Sequence, residues 1–355
     1  MKKIIGQALT FDDVIVAPGI SQTPSFKIKV ETKLTEKIHL KIPIISAAMD
    51  TVSESKMAIK MAELGGLSII HRNLTVQDQV KEIKKVKEKK LKVGAAVGTS
   101  GDFLERSEKL IKAGCDILSI DLAHASTKWA KDAIIKIKRN FKDIQLIAGN
   151  VATYEGAKYL AQLEIDAIKV GIGGGSICTT RVVTGTGVPN ITAIMEVKKA
   201  LKGKSIPIII DGGLRFSGDL VKALAAGADC VMAGSLLAGT DEAPGKILDI
   251  KGRKYKSYRG MSVLKAMNKK TRDRYYLDKG KTHVSQGVSG LVPYKGKVEE
   301  VLEVLIGGVK SGMENAGVKN IKELQKKGRF YQISNSGLNE GHAHDILVTE
   351  KEKNY

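Results

Sequence analysis

Cysteine is scarce in this chain: three among 355 residues, Cys115, Cys178 and Cys230, with no Cys-x-x-Cys pair and no zinc-ligand spacing. That argues against a disulfide framework or a metal finger and points to a reducing compartment, with cytoplasm the default. Long apolar runs are also missing. No stretch approaches the roughly 18–20 residues that a membrane helix needs, and acidic residues interrupt the apolar opening MKKIIGQALTFDDVIV, so neither membrane insertion nor secretion is expected. Acidic residues are in short supply, 38 Asp and Glu against 58 Lys and Arg, which leaves a net charge of +20. The excess is scattered over expected helix faces such as Gln79–Lys92 and Lys128–Lys142 and reads as solvated surface, whose simplest benefit is attraction of anionic, phosphorylated substrates. A nucleic-acid surface is not expected, because the sequence carries no RNA-binding aromatic motif, finger spacing or glycine–arginine tract.

What is present is a rhythm. Apolar, strand-like runs recur at Ile42–Ala48, Leu67–His71, Lys92–Val97, Asp116–Asp121, Ile144–Asn150, Ala167–Ile172, Ile206–Asp211 and Cys230–Gly234. Amphipathic stretches lie between most of them, at Ser55–Leu64, Leu104–Ala113, Lys128–Asn140, Tyr154–Leu163, Ile191–Ala200 and Gly218–Ala226. Alternating strands and helices predict an α/β protein with a parallel sheet, and eight units predict a closed (β/α)8 TIM barrel. The rival dinucleotide fold fits less well: Gly171-Ile-Gly173-Gly-Gly175-Ser lacks the full GxGxxG spacing and the acidic residue about 20 positions on. After the eighth run the rhythm breaks over 241–297, which reads as an insertion with a hairpin at Lys251-Gly252, a brief helix at Val263–Met267 and a lid-like loop; helical patterning resumes at Val298–Met313.

A barrel of this kind carries its chemistry at the carboxyl ends of its strands. Those ends hold Asp50, Asp121, Asn150, Ser176 with Cys178, Asp211-Gly212-Gly213 and Gly234-Ser235. The stretch Gly171–Arg181 delivers Cys178 from a buried strand into a glycine-rich bend among hydroxyl side chains, where a thiol can act as a nucleophile. From residue type alone, other readings stay open: Asp50 and Asn150 as helix caps, Gly212-Gly213 as a plain turn, Cys178 as a small apolar filler.

Together, Leu9-Thr-Phe-Asp-Asp13, Ser46-Ala-Ala-Met-Asp-Thr-Val52, Gly175-Ser-Ile-Cys-Thr-Thr-Arg181, Asp211-Gly-Gly-Leu-Arg-Phe-Ser-Gly-Asp219, Ala238-Gly-Thr, Ser257-Tyr-Arg-Gly-Met261, Ser336-Gly-Leu338 and His342-Ala-His-Asp345 resemble, in order, the IMP dehydrogenase family. The resemblance implies oxidation of IMP at carbon 2 by NAD and water, giving XMP and NADH, with Cys178 forming a thioimidate that is then hydrolysed. It assigns the phosphate to Ser176, Gly213, Gly234, Ser235 and Tyr258, the ribose hydroxyls to Asp211, and the base to Met261 with Gln286. Ala47, Asn150 and Gly260 complete the substrate set. NAD falls to Asp121, Asn150, Gly171, Gly173, Thr180 and Gln286. Arg274 with Tyr275, in the lid-like segment, would activate water, with Thr180 and Gln286 as an alternative relay. A monovalent cation such as K+ would rest on the carbonyls of Gly173, Gly175 and Cys178, completed by Glu340, Gly341 and His342 from a neighbouring subunit of a homotetramer.

Four departures stand out. Many members carry a pair of regulatory nucleotide-binding modules between the second and third barrel units, whereas here Lys81–Lys92 runs straight on into Val93-Gly-Ala-Ala-Val97, the insertion point lying near 88–92. Leu122, in Asp121-Leu-Ala-His-Ala-Ser126, cannot donate a side-chain hydrogen bond to a cofactor. Gly174 and Ser262 replace the family's usual residues, with small effects expected because both mainly present backbone. Two alternatives remain: a GMP reductase using NADPH, against which Arg274-Tyr275, Val182-Val183 and Gln286-Gly-Val-Ser-Gly290 speak and toward which Gly260-Met-Ser262 leans, and an inactive relative that binds nucleotides or nucleic acid, for which the basic charge and the altered Asp121 segment speak.

Overall fold

The computed structural model describes residues 3–263 and 284–349. Eight short parallel strands close on themselves: β1 (Ile44–Ser46), β2 (Leu67–Ile70), β3 (Gly94–Val97), β4 (Ile117–Asp121), β5 (Gln145–Val151), β6 (Ala167–Val170), β7 (Ile208–Asp211) and β8 (Cys230–Ala233), with β8 pairing back onto β1. Seven helices alternate with them, α1 (Ser55–Glu63), α2 (Val76–Glu88), α3 (Phe103–Lys112), α4 (Lys128–Asn140), α5 (Tyr154–Leu160), α6 (Asn190–Ala200) and α7 (Ser217–Ala226), and α8 (Val298–Asn315) completes the ring after the insertion. The expected (β/α)8 barrel is therefore the observed one.

Period-two alternation explains why these strands close. Ile45, Leu67, Ile69, Ala96, Ile117, Ile147, Ala167, Ile209 and Met232 pack together along the barrel axis, while their neighbours Ile44, Ile70, Leu118, Leu146, Ile168 and Ile208 pack outward with the helices. Each aliphatic side chain so buried contributes roughly 1.5–3 kcal/mol. The helices present matching stripes: on α4, Ala130, Ala133, Ile134 and Ile137 are buried at helical spacing. Thr75, Thr127 and Thr153 start α2, α4 and α5 by accepting from the backbone N–H three residues on. Beyond α2 the chain turns through Lys90, at φ 58°, directly into β3. No helix among the described residues is long and apolar enough to cross a membrane.

Outside the barrel, β9 (Leu248–Ile250), β10 (Arg253–Arg259) and β11 (Ser289–Pro293) form an antiparallel sheet within the insertion. The expected hairpin is present, with Lys251 and Gly252 both at positive φ. The strand β11 was not legible in the pattern, nor was the antiparallel pairing of Val14–Val16 with Phe330–Gln332. Two contacts pin this sheet to the barrel mouth. Buried Lys256 donates to the carbonyls of Thr240 and Ala243 past β8, and Arg259 forks onto Asp50 beyond β1, Nη2 lying 2.6 Å from Oδ2. Of the expected helix Val263–Met267, residues 264–267 lie outside the described residues.

Candidate active site

The strand β6 ends because Gly171, at φ +125°, and Gly173, at φ +76°, take backbone conformations that other residues resist. The bend lifts Cys178 to a half-buried position at the barrel mouth, its Sγ 3.1 Å from Thr180 Oγ1. The other two thiols are buried, and burial pushes Cys115 up to about 12 and Cys230 well above the ordinary range. Cys178 alone is thus placed to react. Arg181, two residues past the Cys-Thr pair, donates Nε to the carbonyl of Ile172 at 3.0 Å and ties the bend to its own start; burial lowers its guanidinium's hold on its proton.

One cavity gathers most of the expected residues around that sulfur. Ala47, Asp121, Asn150 and Asp211 line it from the strand ends, Gly171, Gly173, Gly175 and Thr180 from the Cys178 bend, and Gly234 from the turn after β8. Tyr258, Gly260, Met261 and Gln286 close it from the insertion. Ser176, Gly213 and Ser235 are not among its lining residues but directly follow Gly175, Gly212 and Gly234, which are. The Tyr258 hydroxyl meets the Ser176 side chain and the Ser235 backbone, and burial, the largest influence, pushes this phenol up to about 12, so it keeps its proton. Gly213, at φ +79°, approaches the bend so closely that a Cβ there would lie 2.5 Å from the Gly174 carbonyl oxygen. Asp50 and Asn150 are not helix caps: Asp50 holds Arg259 and Asn73, and Asn150 donates to Asp211 Oδ2 at 2.8 Å and to the Gly171 carbonyl at 2.7 Å.

Within the insertion, the segment 284–288 is stitched to the Cys178 bend. Thr179 N–H donates to the Gln286 carbonyl at 2.9 Å and Val288 N–H to the Ile177 carbonyl at 3.0 Å, with Cys178 and Gly287 bridged between them. Here one expectation fails. Ser262 does more than present backbone: its side chain is buried, and its Oγ accepts from Gln286 N–H at 3.2 Å. The hydroxyl joins the two described ends that flank 264–283, a contact glycine cannot make. Arg274 and Tyr275 lie outside the described residues.

The altered segment after Asp121 opens a second hollow. Ala123, His124, Thr127 and Trp129 line it together with Thr184 and Val188, and it shares Ile172, Thr180 and Gln286 with the Cys178 cavity. Leu122 turns into the core and exchanges backbone hydrogen bonds with Gly149 and Asn150. Burial holds His124 below the usual imidazole range, so its ring is neutral near neutral pH.

Glu340, Gly341 and His342 stand apart from this cavity. Glu340 ends the short helix Asn335–Glu340 and the other two follow it; the His342 ring meets Phe216 edge-on at 6.1 Å, and Gly341 and His342 line a separate hollow with Asp12, Arg215 and Asp219.

Two functional side chains escaped the sequence reading. Lys169, on β6, lines the Cys178 cavity and ties Asp121, Asn150 and Asp211 together. Asn190, at the start of α6, donates to the Gly212 carbonyl at 3.1 Å and wedges between Gly174 and Gly213, where a Cβ on either glycine would come within 2.6 Å of its amide. A lysine inside an otherwise apolar strand was the available signal for the first; the second had none beyond a polar residue after Pro189.

Residues 8–344 match the family described as IMP dehydrogenase / GMP reductase domain. Among similar proteins, the inosine-5'-monophosphate dehydrogenase of Borreliella burgdorferi is 42% identical, with 97% of this chain and 98% of the relative covered over 398 positions. That of Cryptosporidium parvum is 42% identical, with 99% of each covered, over 398 positions. That of Aquifex aeolicus is 37% identical, with 100% of this chain and 99% of the relative covered, but its alignment extends over 484 positions. That relative therefore carries well over a hundred positions with no counterpart among the 355 residues here.

Proposed function

The chain belongs to the IMP dehydrogenase / GMP reductase family, and from that premise we infer that it oxidises IMP to XMP with NAD. One observation carries the reading: a half-buried cysteine lines a cavity at the barrel mouth that shares Ile172, Thr180 and Gln286 with a second hollow reaching Trp129. Ser176, Ser235, the Gly213 turn and the protonated Tyr258 hydroxyl offer donors for a phosphate. Asp211 offers a carboxylate for a ribose diol, and Met261 with Gln286 flanks the space for a base. The hollow reaching Trp129 is suited to the far half of a dinucleotide, whose near half would meet Asp121, Asn150, Gly171, Gly173, Thr180 and Gln286.

In the first step the Cys178 sulfur bonds to carbon 2 of the purine, and hydride leaves that carbon. Bound NAD supplies the hydride acceptor. The resulting thioimidate keeps the nucleotide in place while water adds to the same carbon, sulfur departs and XMP forms, so one hard step becomes two easier ones. Thr180, 3.1 Å from the sulfur, and Gln286, stitched to the bend, support a proton relay for the water; Arg274 is the other proposed activator. Backbone carbonyls suit a hard monovalent cation such as K+; that of Gly175 already accepts from Cys178 N–H at 3.1 Å and keeps a second lone pair, and three carbonyls from Gly173, Gly175 and Cys178 are too few, so Glu340, Gly341 and His342 of a second copy would complete the set in a homotetramer.

The test is direct. Purified protein with IMP and NAD should produce reduced cofactor; consumption of NADPH with GMP would instead identify a reductase. Cys178→Ala should abolish turnover while IMP binding persists, and turnover near the parent rate would remove the covalent mechanism.

A further inference from the structure

A lysine is almost never fully buried unless it is paired, yet the Lys169 side chain, third residue of β6, is only 2% exposed. Alternation along β6 points it inward above Ala167, at the carboxyl end of the barrel axis. Its ammonium donates to Asp211 Oδ2 at 2.9 Å, to Asp121 Oδ1 at 3.3 Å and to Asn150 Oδ1. Three protons meet three acceptors, one from each of β4, β5 and β7, so no proton remains for a ligand. Asn150 closes the ring by donating to the same Asp211 Oδ2 at 2.8 Å. Both bonds to Asp211 fall on that oxygen, and the carboxylate lines the cavity.

We propose that Lys169 is a positioning residue: it sets the Asp211 carboxylate for the nucleotide ribose and fastens it to Asp121 and Asn150 on the cofactor side, so that one buried cation organises both half-sites. The proposal rests on the reading of this cavity as the IMP and NAD site. It differs from a packing role, because a merely structural lysine would alter the folded fraction and leave the ligand affinity of folded molecules unchanged.

The readout is protection of Cys178 from alkylation by iodoacetamide as IMP is titrated, with KM for NAD and kcat measured alongside. In the unaltered protein IMP should slow alkylation; if it does not, the functional reading fails and the proposal falls with it. In Lys169→Met, folded protein should require about ten- to hundred-fold more IMP for protection, the range for losing a hydrogen bond to a charged group, and KM for NAD should rise with it, while kcat at saturation falls less. Lys169→Arg, which keeps the charge, should restore protection to within about three-fold of the IMP concentration that the unaltered protein requires. Should Lys169→Met fail to fold, Lys169→Gln, neutral but still a donor, carries the same expectations. Protection by IMP at unaltered concentration in the neutral variant, or a weakened response that arginine does not recover, overturns the proposal.

Discussion

Replacing Tyr258 by phenylalanine removes one oxygen from the pocket proposed to hold the phosphate and leaves the ring in place. The side chain is 5% exposed on β10. Its hydroxyl lies beside Ser176, the Ser235 backbone and, at 3.8 Å, the sulfur of Met49. Because burial pushes its ionisation up to about 12, the phenol remains a donor at any practical assay pH. A hydrogen bond to a charged acceptor is worth about 1.5–3 kcal/mol, which converts to a roughly 10- to 150-fold loss of IMP affinity. The loss should fall on ground and transition states alike, raising KM for IMP with kcat nearly unchanged. Global stability should fall by about 1–3 kcal/mol, since the deleted hydroxyl gives up its hydrogen bonds with the Ser176 side chain and the Ser235 backbone. The deciding comparison is with inosine, which lacks the phosphate: competition by inosine should be nearly equal in the two proteins, while competition by IMP should differ by the full factor. If Tyr258→Phe weakens inosine as much as IMP, the hydroxyl does not read the phosphate and the assignment of this end of the cavity is wrong.

Arg274→Ala should slow hydrolysis far more than hydride transfer, so rapid mixing should reveal a burst of NADH followed by slow turnover; equal loss in both steps would deny it a specialised role with water. Ser262→Gly removes the acceptor for Gln286 N–H at 3.2 Å, and one such bond, about 1 kcal/mol, predicts a roughly five-fold fall in kcat with IMP protection of Cys178 retained. Unchanged kcat would return Ser262 to the passive role first expected of it. Gly94→Ala tests the barrel itself, because a Cβ there would lie 2.4 Å from Ile69 Cδ1 and 2.9 Å from Ile117 Cγ2. Overpacking of this kind costs about 1–3 kcal/mol, seen as a lower denaturation midpoint with kinetic constants per folded molecule preserved.

The barrel was legible because its signals are local and repeated. Each strand is a short buried run, each helix carries an apolar stripe, and the observed elements fall within two or three residues of the expected bounds. The hairpin at Lys251-Gly252 was legible for the same reason, since positive φ at both turn residues is a property of the turn itself. The pairings of β11 with β10 and of Val14–Val16 with Phe330–Gln332 were not, because the partners are far apart in the chain and neither β11 nor Phe330–Gln332 alternates cleanly between buried and exposed. The same distinction holds in the site. Cys178 and the glycines around it announce a bend, but the function of Asp50 as an anchor for Arg259 depends on a partner 209 residues away.

Lys169 marks the limit of that reading most sharply. Its strand, Ala167–Val170, was recognised as buried, and a period of two alone puts residue 169 on the face of Ala167, toward the axis. What the pattern did not supply is the reason to spend the desolvation of an ammonium there, since a buried charge left unpaired is strongly destabilising while an apolar side chain in its place is not. The reason lies in three other strands, whose ends deliver Asp121, Asn150 and Asp211 to the same point. The site therefore divides into two kinds of parts. The glycine-rich bend and the segment 284–288 are joined to each other by backbone hydrogen bonds around Cys178, whereas the groups expected to hold the nucleotide ribose and the cofactor are bolted to the barrel through one cation. The proposed two-step reaction suits that division: the nucleotide stays attached to Cys178 from hydride transfer to hydrolysis, so the carboxylate proposed to hold its ribose must keep one position through both steps, and a cation fixed to the barrel strands supplies that constancy.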